Sequence, residues 1–202
     1  MSTNIKIEYT NESGNNVNPK VFVFTKNEKP TFDALKHGVA WQVLSDIGRG
    51  SSSELTYTID SQVQVMWSGN NKTRKLNATI GKKYDVIKDS TGIVLKESGH
   101  ALSPKAIDVV NKVKVDGGIS AQICKGGKVL LTEKAVAYDQ KATFVLHPKL
   151  YWGIASEIKE GQSISAAVLD STSFQEQDLE GLTSAKVVLR GNAREGYDFL
   201  FE

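Results

Sequence analysis

Residues equipped for catalysis or metal binding are few in this chain, and they are scattered. The three histidines, His37, His100 and His147, lie far apart. Metal sites want two histidines four apart on a helix or two apart on a strand, so neither a metal nor a cofactor is expected. Asp85 and Asp89 are near neighbours but lack the ordered Asp/Asn ladder of a calcium loop. Asp89-Ser90-Thr91-Gly92 superficially resembles an aspartic-protease loop. It carries an extra residue between Asp and Thr-Gly and has no second copy, so a β-turn is the better reading. Ser51, Ser52 and Ser53 follow Gly48-Arg49-Gly50. A phosphate-cradling nest would need a helix N-terminus next, whereas Leu55 to Ile59 reads as strand. On this residue set the chain is expected not to be an enzyme.

Two features remain for a surface role. Cys124 is the only cysteine, which excludes an internal disulfide framework and any multi-cysteine zinc site. It leaves a buried thiol, an exposed free thiol, or a bond between chains. Its place near a hairpin tip, beside Lys125 and Lys128, favours exposure and thiolate character. Its pairing across the hairpin with Val129 favours burial as a small hydrophobe. The second feature is Tyr151-Trp152. Neighbouring residues of a strand point to opposite faces, so one of these two rings is expected to face outward as a contact for a glycan or other ligand. Trp41 and Trp67 fall on the apolar faces of their strands and read as core.

The elements that must position these residues are strands. Ile5 to Tyr9, Leu55 to Ile59 and Gln62 to Trp67 alternate apolar and polar residues. Val21 to Phe24 is a continuous apolar run, as in a strand covered on both faces. Tyr84 to Ile87 and Ile93 to Leu95 flank the Asp89–Gly92 turn. Ile119 to Lys125, Gly126-Gly127 and Lys128 to Leu131 form the clearest hairpin, because paired glycines supply the positive φ that strand twist requires. Residues 39–44, 107–115, 142–146, 150–155, 163–169, 185–190 and 197–201 also read as strands. Thr31 to Lys36 has the pattern of a single helical turn with Thr31 as N-cap, and Ser173 to Leu182 reads as a long loop or short helix. No repeat or Pro/Gly-rich linker divides the 202 residues. The expectation is one all-β domain over 1–202, a two-sheet antiparallel β-sandwich, with a closed β-barrel as the alternative.

Bulk charge narrows the partners. Twenty-five basic and 23 acidic side chains leave a net charge of +2, without the basic excess that displaces counterions from nucleic acid. Near-neutrality lets like molecules approach closely. No run is long enough to span a membrane as a helix. Nor does the N-terminus read as a secretory signal, so the cytoplasm is the default location. Asn11, Asn71 and Asn77 head glycosylation-acceptor triplets, which matter only if the chain is secreted.

The segments Val21-Phe22-Val23-Phe24-Thr25-Lys26-Asn27, Val39-Ala40-Trp41-Gln42-Val43 and Lys125-Gly126-Gly127-Lys128-Val129-Leu130 are similar to the octin-type crystal-matrix proteins of fungi and bacteria. The resemblance spans most of the chain, through core strands and a hairpin. It implies a non-enzymatic structural protein whose partner is itself, a homo-oligomer built to high order with disulfides between molecules. Cys124 is the one residue that can make such a bond. A single cysteine links chains only in pairs, so non-covalent contacts must do the rest. The resemblance also implies a vacuole or other oxidising storage compartment as the alternative location. The competing function is a lectin-like, glycan-binding module built on Tyr151 or Trp152 and the Gly48–Ser53 loop.

Overall fold

The structure, a computed structural model, describes residues 4–14, 19–29, 38–165, 168 and 173–202. The fold is all-β and of sandwich type, with four open sheets and no closed barrel among the described residues. The chain divides into two compact units. The first comprises Met1–Thr25, Val39–Ile59 and Pro148–Glu202, and the second Lys26–Gly38 and Asp60–His147. Each holds two sheets, where the sequence led us to expect one pair of sheets for the whole chain.

In the first unit one sheet runs β17 (Gly196–Phe201), β16 (Ser184–Asn192), β1 (Ile5–Asn11), β4 (Ser52–Tyr57). The other runs β15 (Phe174–Asp178), β14 (Lys149–Ile154), β2 (Val21–Phe24), β3 (Gln42–Leu44). Aromatic rings tie the two together. Tyr9 of β1 stacks on Trp152 of β14, with 6.2 Å between centroids. Trp152 also meets Phe199 of β17 at 6.0 Å, and Trp41, just before β3, meets Tyr57 of β4 edge-on at 5.9 Å. Such pairs stabilise by burial and by quadrupole geometry together. All four residues of β2 are buried, as a run of Val and Phe without alternation requires.

In the second unit one sheet runs β13 (Lys141–Val145), β10 (Ala106–Asn111), β8 (Lys82–Asp89), β9 (Gly92–His100). The other runs β12 (Lys128–Val136), β11 (Ile119–Lys125), β5 (Ser61–Trp67), with β6 (Asn71–Lys72) and β7 (Leu76–Ala78) both pairing β5. Val63 and Val65, with Ile119, Ala121 and Ile123, fill the core from the second sheet; Tyr84, Val86, Ile107, Val109 and Phe144 fill it from the first. Asn111 bridges the sheets. Its Nδ2 donates to the Val136 carbonyl at 2.9 Å while its Oδ1 accepts from Val113 N, so a buried amide is satisfied at both ends.

Several local expectations change. Two strand pairs, β1 with β16 and β8 with β10, are parallel, since alternation specifies a strand's faces but not its partner's direction. Strand β4 stops at Tyr57, leaving Ile59 46% exposed instead of core-facing. Phe174 to Asp178 is strand, not loop or helix. Strand β10 ends at Asn111, short of Val113 and Val115. Of the strand expected at 163–169, Ser163 makes an isolated bridge to Val39, and residues 166, 167 and 169 lie outside the described residues. The helical turn at Thr31–Lys36 and His37 lie outside the described residues.

Asp108 anchors one end of the second unit. Its side chain is only 3% exposed, and it accepts hydrogen bonds from Leu102 N, the Thr143 hydroxyl and the Lys141 ammonium at 3.0, 2.7 and 3.2 Å. Burial alone would raise its pKa, but these donors outweigh burial and leave it below the ordinary carboxylate value. A depressed folded-state value means stability that is present above the unfolded carboxylate pKa and is lost as pH falls through the folded one. Asp108→Asn should therefore cost roughly 1–3 kcal/mol at pH 7, and its acid-unfolding slope should be shallower than that of the wild type. Urea midpoints from pH 7 to pH 3 measure this, and parallel curves for the two proteins would refute it.

Candidate functional site

The structure places both residues of the expected surface aromatic pair indoors. Trp152 is 0% and Tyr151 4% exposed. They do point to opposite faces of β14, but both faces are covered. Trp152 packs on Tyr9 and Phe199, and its indole N–H donates to Gln177 Oε1 at 2.9 Å. Tyr151 packs on Phe24 and Phe174, and its hydroxyl donates to Glu176 at 2.8 Å. Neither ring can serve as a surface contact for a glycan.

Cys124 is likewise buried, with no exposed surface. The hairpin forms as expected around Gly126-Gly127, both at positive φ, and Cys124 faces Val129. Ile123, however, pairs with Leu131, so Leu130 is an extra residue between two register pairs. The bulge lies on β12; β11 itself stays in unbroken register with β5, and Ile123, Cys124 and Lys125 are buried in succession because both of its faces are covered there. Burial pushes the Cys124 thiol up, with the Lys75 ammonium partly opposing it. A disulfide between chains would require this hairpin to open, which corrects the expectation of Cys124 as a ready cross-link. We expect Cys124 in native protein to resist a thiol reagent such as Ellman's and to react at full stoichiometry in denaturant; rapid native labelling would contradict its burial.

Lys125 is only 4% exposed. Burial lowers its amine from 10.5 to about 8, with Asp60 partly opposing the shift. Between these values the unfolded chain binds more protons than the folded one, so the cost of burying the charge is felt below pH 8 and relieved as pH rises towards 10.5. Relative to Lys125→Met, the wild type should gain on the order of 2–3 kcal/mol across that window. Paired denaturation curves at pH 7 and pH 10.5 would show it, and a constant difference would exclude it.

The remaining candidates resolve into structural roles. Asp89 closes the β8–β9 turn by accepting from the Thr91 hydroxyl and N–H at 2.6 and 2.8 Å, which, with Lys96 nearby, holds its carboxyl at about 2. Ser52 begins a strand, not a helix, and shares a hydrogen bond with the Thr10 hydroxyl. Asn11 is buried, and its side chain is engaged by Ile47 and Ser13, so this acceptor triplet is a local turn. His100 and His147 are exposed and distant in the chain, and among the described residues no three His, Cys, Asp or Glu side chains gather as a metal site would need.

Two concavities that the sequence did not disclose occur in the first unit. One is an apolar hollow of about 390 Å³ whose floor and walls are Ile5, Ile59, Pro148, Leu179 and Leu182, with Glu180 at its edge. Ile59 and Leu182 are 46% and 40% exposed. The other is a cleft of about 420 Å³ between the edge strands β15 and β17, lined by Ile154, Ser173, Gln175, Tyr197, Asp198 and Phe199. Gln175 organises it, because its Oε1 accepts from Phe199 N at 2.5 Å and its Nε2 donates to Asp198 Oδ1 at 2.8 Å. The tight β16–β17 turn sets the position of β17. Asn192 Oδ1 accepts from Arg194 N and Glu195 N. Gly191, at φ 86°, is so close to Gly196 that a Cβ there would lie 2.1 Å from the Gly196 carbonyl oxygen. Compared with known proteins, the chain matches no family model, no curated protein and no solved structure.

Proposed function

We propose that this protein is a non-enzymatic structural protein that self-associates without a covalent link, one copy seating an apolar loop in the hollow of the next. The observation that carries this reading is the hollow itself. Ile59 and Leu182 expose large apolar side chains over a floor of Ile5 and Leu179, which are otherwise core residues. An apolar concavity with Ile59 and Leu182 exposed at its rim offers room for an apolar side chain of another molecule.

The occupant is argued from the same chain. Leu102 is 89% and Ile80 53% exposed. Their loops are held side by side, since Ala101 N donates to the Gly81 carbonyl at 2.8 Å and Pro104 lies against Gly81. Asp108 fixes the Leu102 backbone, so this apolar tip is presented rather than left to collapse. Lys105 beside the tip is exposed, and Glu180 lines the hollow, so opposite charges meet when the two surfaces join. With a net charge of +2, copies repel one another weakly. A tip-to-hollow contact joins two different patches, and such heterologous contacts grow into rings or open chains rather than stopping at a dimer. This agrees with the high-order assembly implied by the octin-type resemblance, and the buried thiol leaves assembly independent of the redox compartment.

The test is complementation. Wild-type protein should form particles larger than a monomer by light scattering, unchanged by reductant. Leu102→Glu and Leu182→Glu should each be monomeric with unaltered melting. An equimolar mixture should form one-to-one complexes and nothing larger, because each variant retains the surface the other has lost. Monomeric wild type at every concentration would refute the function, and assembly undiminished in both variants would refute this contact.

A further inference from the structure

We infer that the cleft between β15 and β17 is a binding site for a hydroxyl-rich saccharide, with Asp198 as its principal acceptor and Tyr197 as its apolar wall. The inference is independent of self-association and of the hollow.

A saccharide ring presents adjacent hydroxyl donors along its rim and a patch of C–H groups on its face. A site for it needs a fixed acceptor able to take two donors, further polar groups nearby, and an aromatic or apolar surface. Asp198 is exposed, and its Oδ1 is fixed by the Gln175 amide. Gln175 is in turn fixed by the backbone of Phe199, so the carboxylate is oriented before any ligand arrives and loses little freedom on binding. Tyr197 is half-buried in the same cleft, and burial raises its hydroxyl pKa, so it stays a neutral donor at physiological pH. Ser173 adds a hydroxyl, while Ile154 and Phe199 supply the apolar part of the lining. Gly196 leaves one side open, because a Cβ there would meet nothing within 4 Å. The combination of a mostly apolar lining with a few convergent polar groups is the usual character of a small-molecule site.

Other occupants fit less well. A peptide adding as a strand to the edge of β17 would need the Phe199 N–H, which Gln175 already occupies. A metal ion would find one carboxylate in the cleft, too few for a hard cation.

Titration calorimetry and intrinsic tryptophan emission test the site, using methyl α-D-mannopyranoside, methyl β-D-glucopyranoside and N-acetylglucosamine as probes. Trp152 lies 6.0 Å from Phe199, a lining residue, so occupancy should change the emission. Wild type should bind at least one probe saturably with a Kd near ~1 mM. Asp198→Asn should weaken that binding about tenfold or more, Tyr197→Ala should weaken it several-fold, and Glu180→Gln at the hollow should leave it unchanged. Near-UV circular dichroism shows whether each variant keeps its packing. Failure of all three probes to bind wild type up to about 50 mM, or binding by a folded Asp198→Asn equal to wild type, would overturn the assignment.

Discussion

The first unit depends on the burial of Trp152 between two sheets. Its ring lies against Tyr9 of one sheet's central strand and Phe199 of that sheet's edge, while its N–H is satisfied by Gln177 on the neighbouring strand β15. Burying an indole without a partner for its N–H would forfeit much of the gain from its large apolar surface. Gln177 is 4% exposed on a strand that is otherwise largely polar. Requiring it at that position fixes the register of β15 on β14, with Leu150 opposite Gln177 and Trp152 opposite Gln175. Gln175 is thereby brought to the Phe199 backbone. One indole thus sets the spacing between the sheets and the geometry of the cleft at their edge.

The strands were largely legible because alternation is a local property. Ile5, Ile7 and Tyr9 face inward, as do Val63 and Val65, and Val21 to Phe24 is buried on both faces. Partner choice was not legible. The chain passes between the units near residues 26, 39, 60 and 148, and no local pattern marks those crossings. Strand β15 was missed because Phe174-Gln175-Glu176-Gln177-Asp178 carries one apolar residue. As a sheet edge it needs little more, and its defining interaction, the Gln177–Trp152 bond, is long-range.

The surface reading of the aromatic pair and the exposed reading of the cysteine, one of the two left open for it, failed for related reasons. Opposite orientation of Tyr151 and Trp152 was correct as geometry, but it implies one exposed ring only if a face of the sheet is wet. The continuous apolar run of β2, whose Phe24 is the register partner of Tyr151, already indicated two covered faces. At Cys124 alternation gives the direction of the side chain but not its cover: β11 stays in register with β5, and three successive buried residues, Ile123 to Lys125, mean that both faces are covered there. The inserted Leu130 lies on the partner strand β12, and a bulge there cannot be read from a period-two pattern. The apolar hollow was hidden because it draws on Ile5, Ile59, Pro148 and Leu179, residues remote in sequence.

The sheet edges bear on which surface can recruit another molecule. Just past β17, Glu202 exchanges both backbone hydrogen bonds with Lys186 of β16. Counting back by twos, Leu200 and Asp198 also face β16, so Phe199 between them directs its N–H away from the sheet, where an incoming strand would take it. Gln175 holds that position instead. Strand β9, another edge, carries exposed Lys96 and Glu97, which pair with Asp89 and Lys82 of β8. Strand β12 has Gly38 bridged to Leu131 and Glu133 paired with Lys29. Charges and side-chain plugs of this kind discourage edge-to-edge pairing. The amide that blunts this edge also holds Asp198 through its other end, so the interaction that discourages strand addition fixes the orientation of the carboxylate beside the cleft as well.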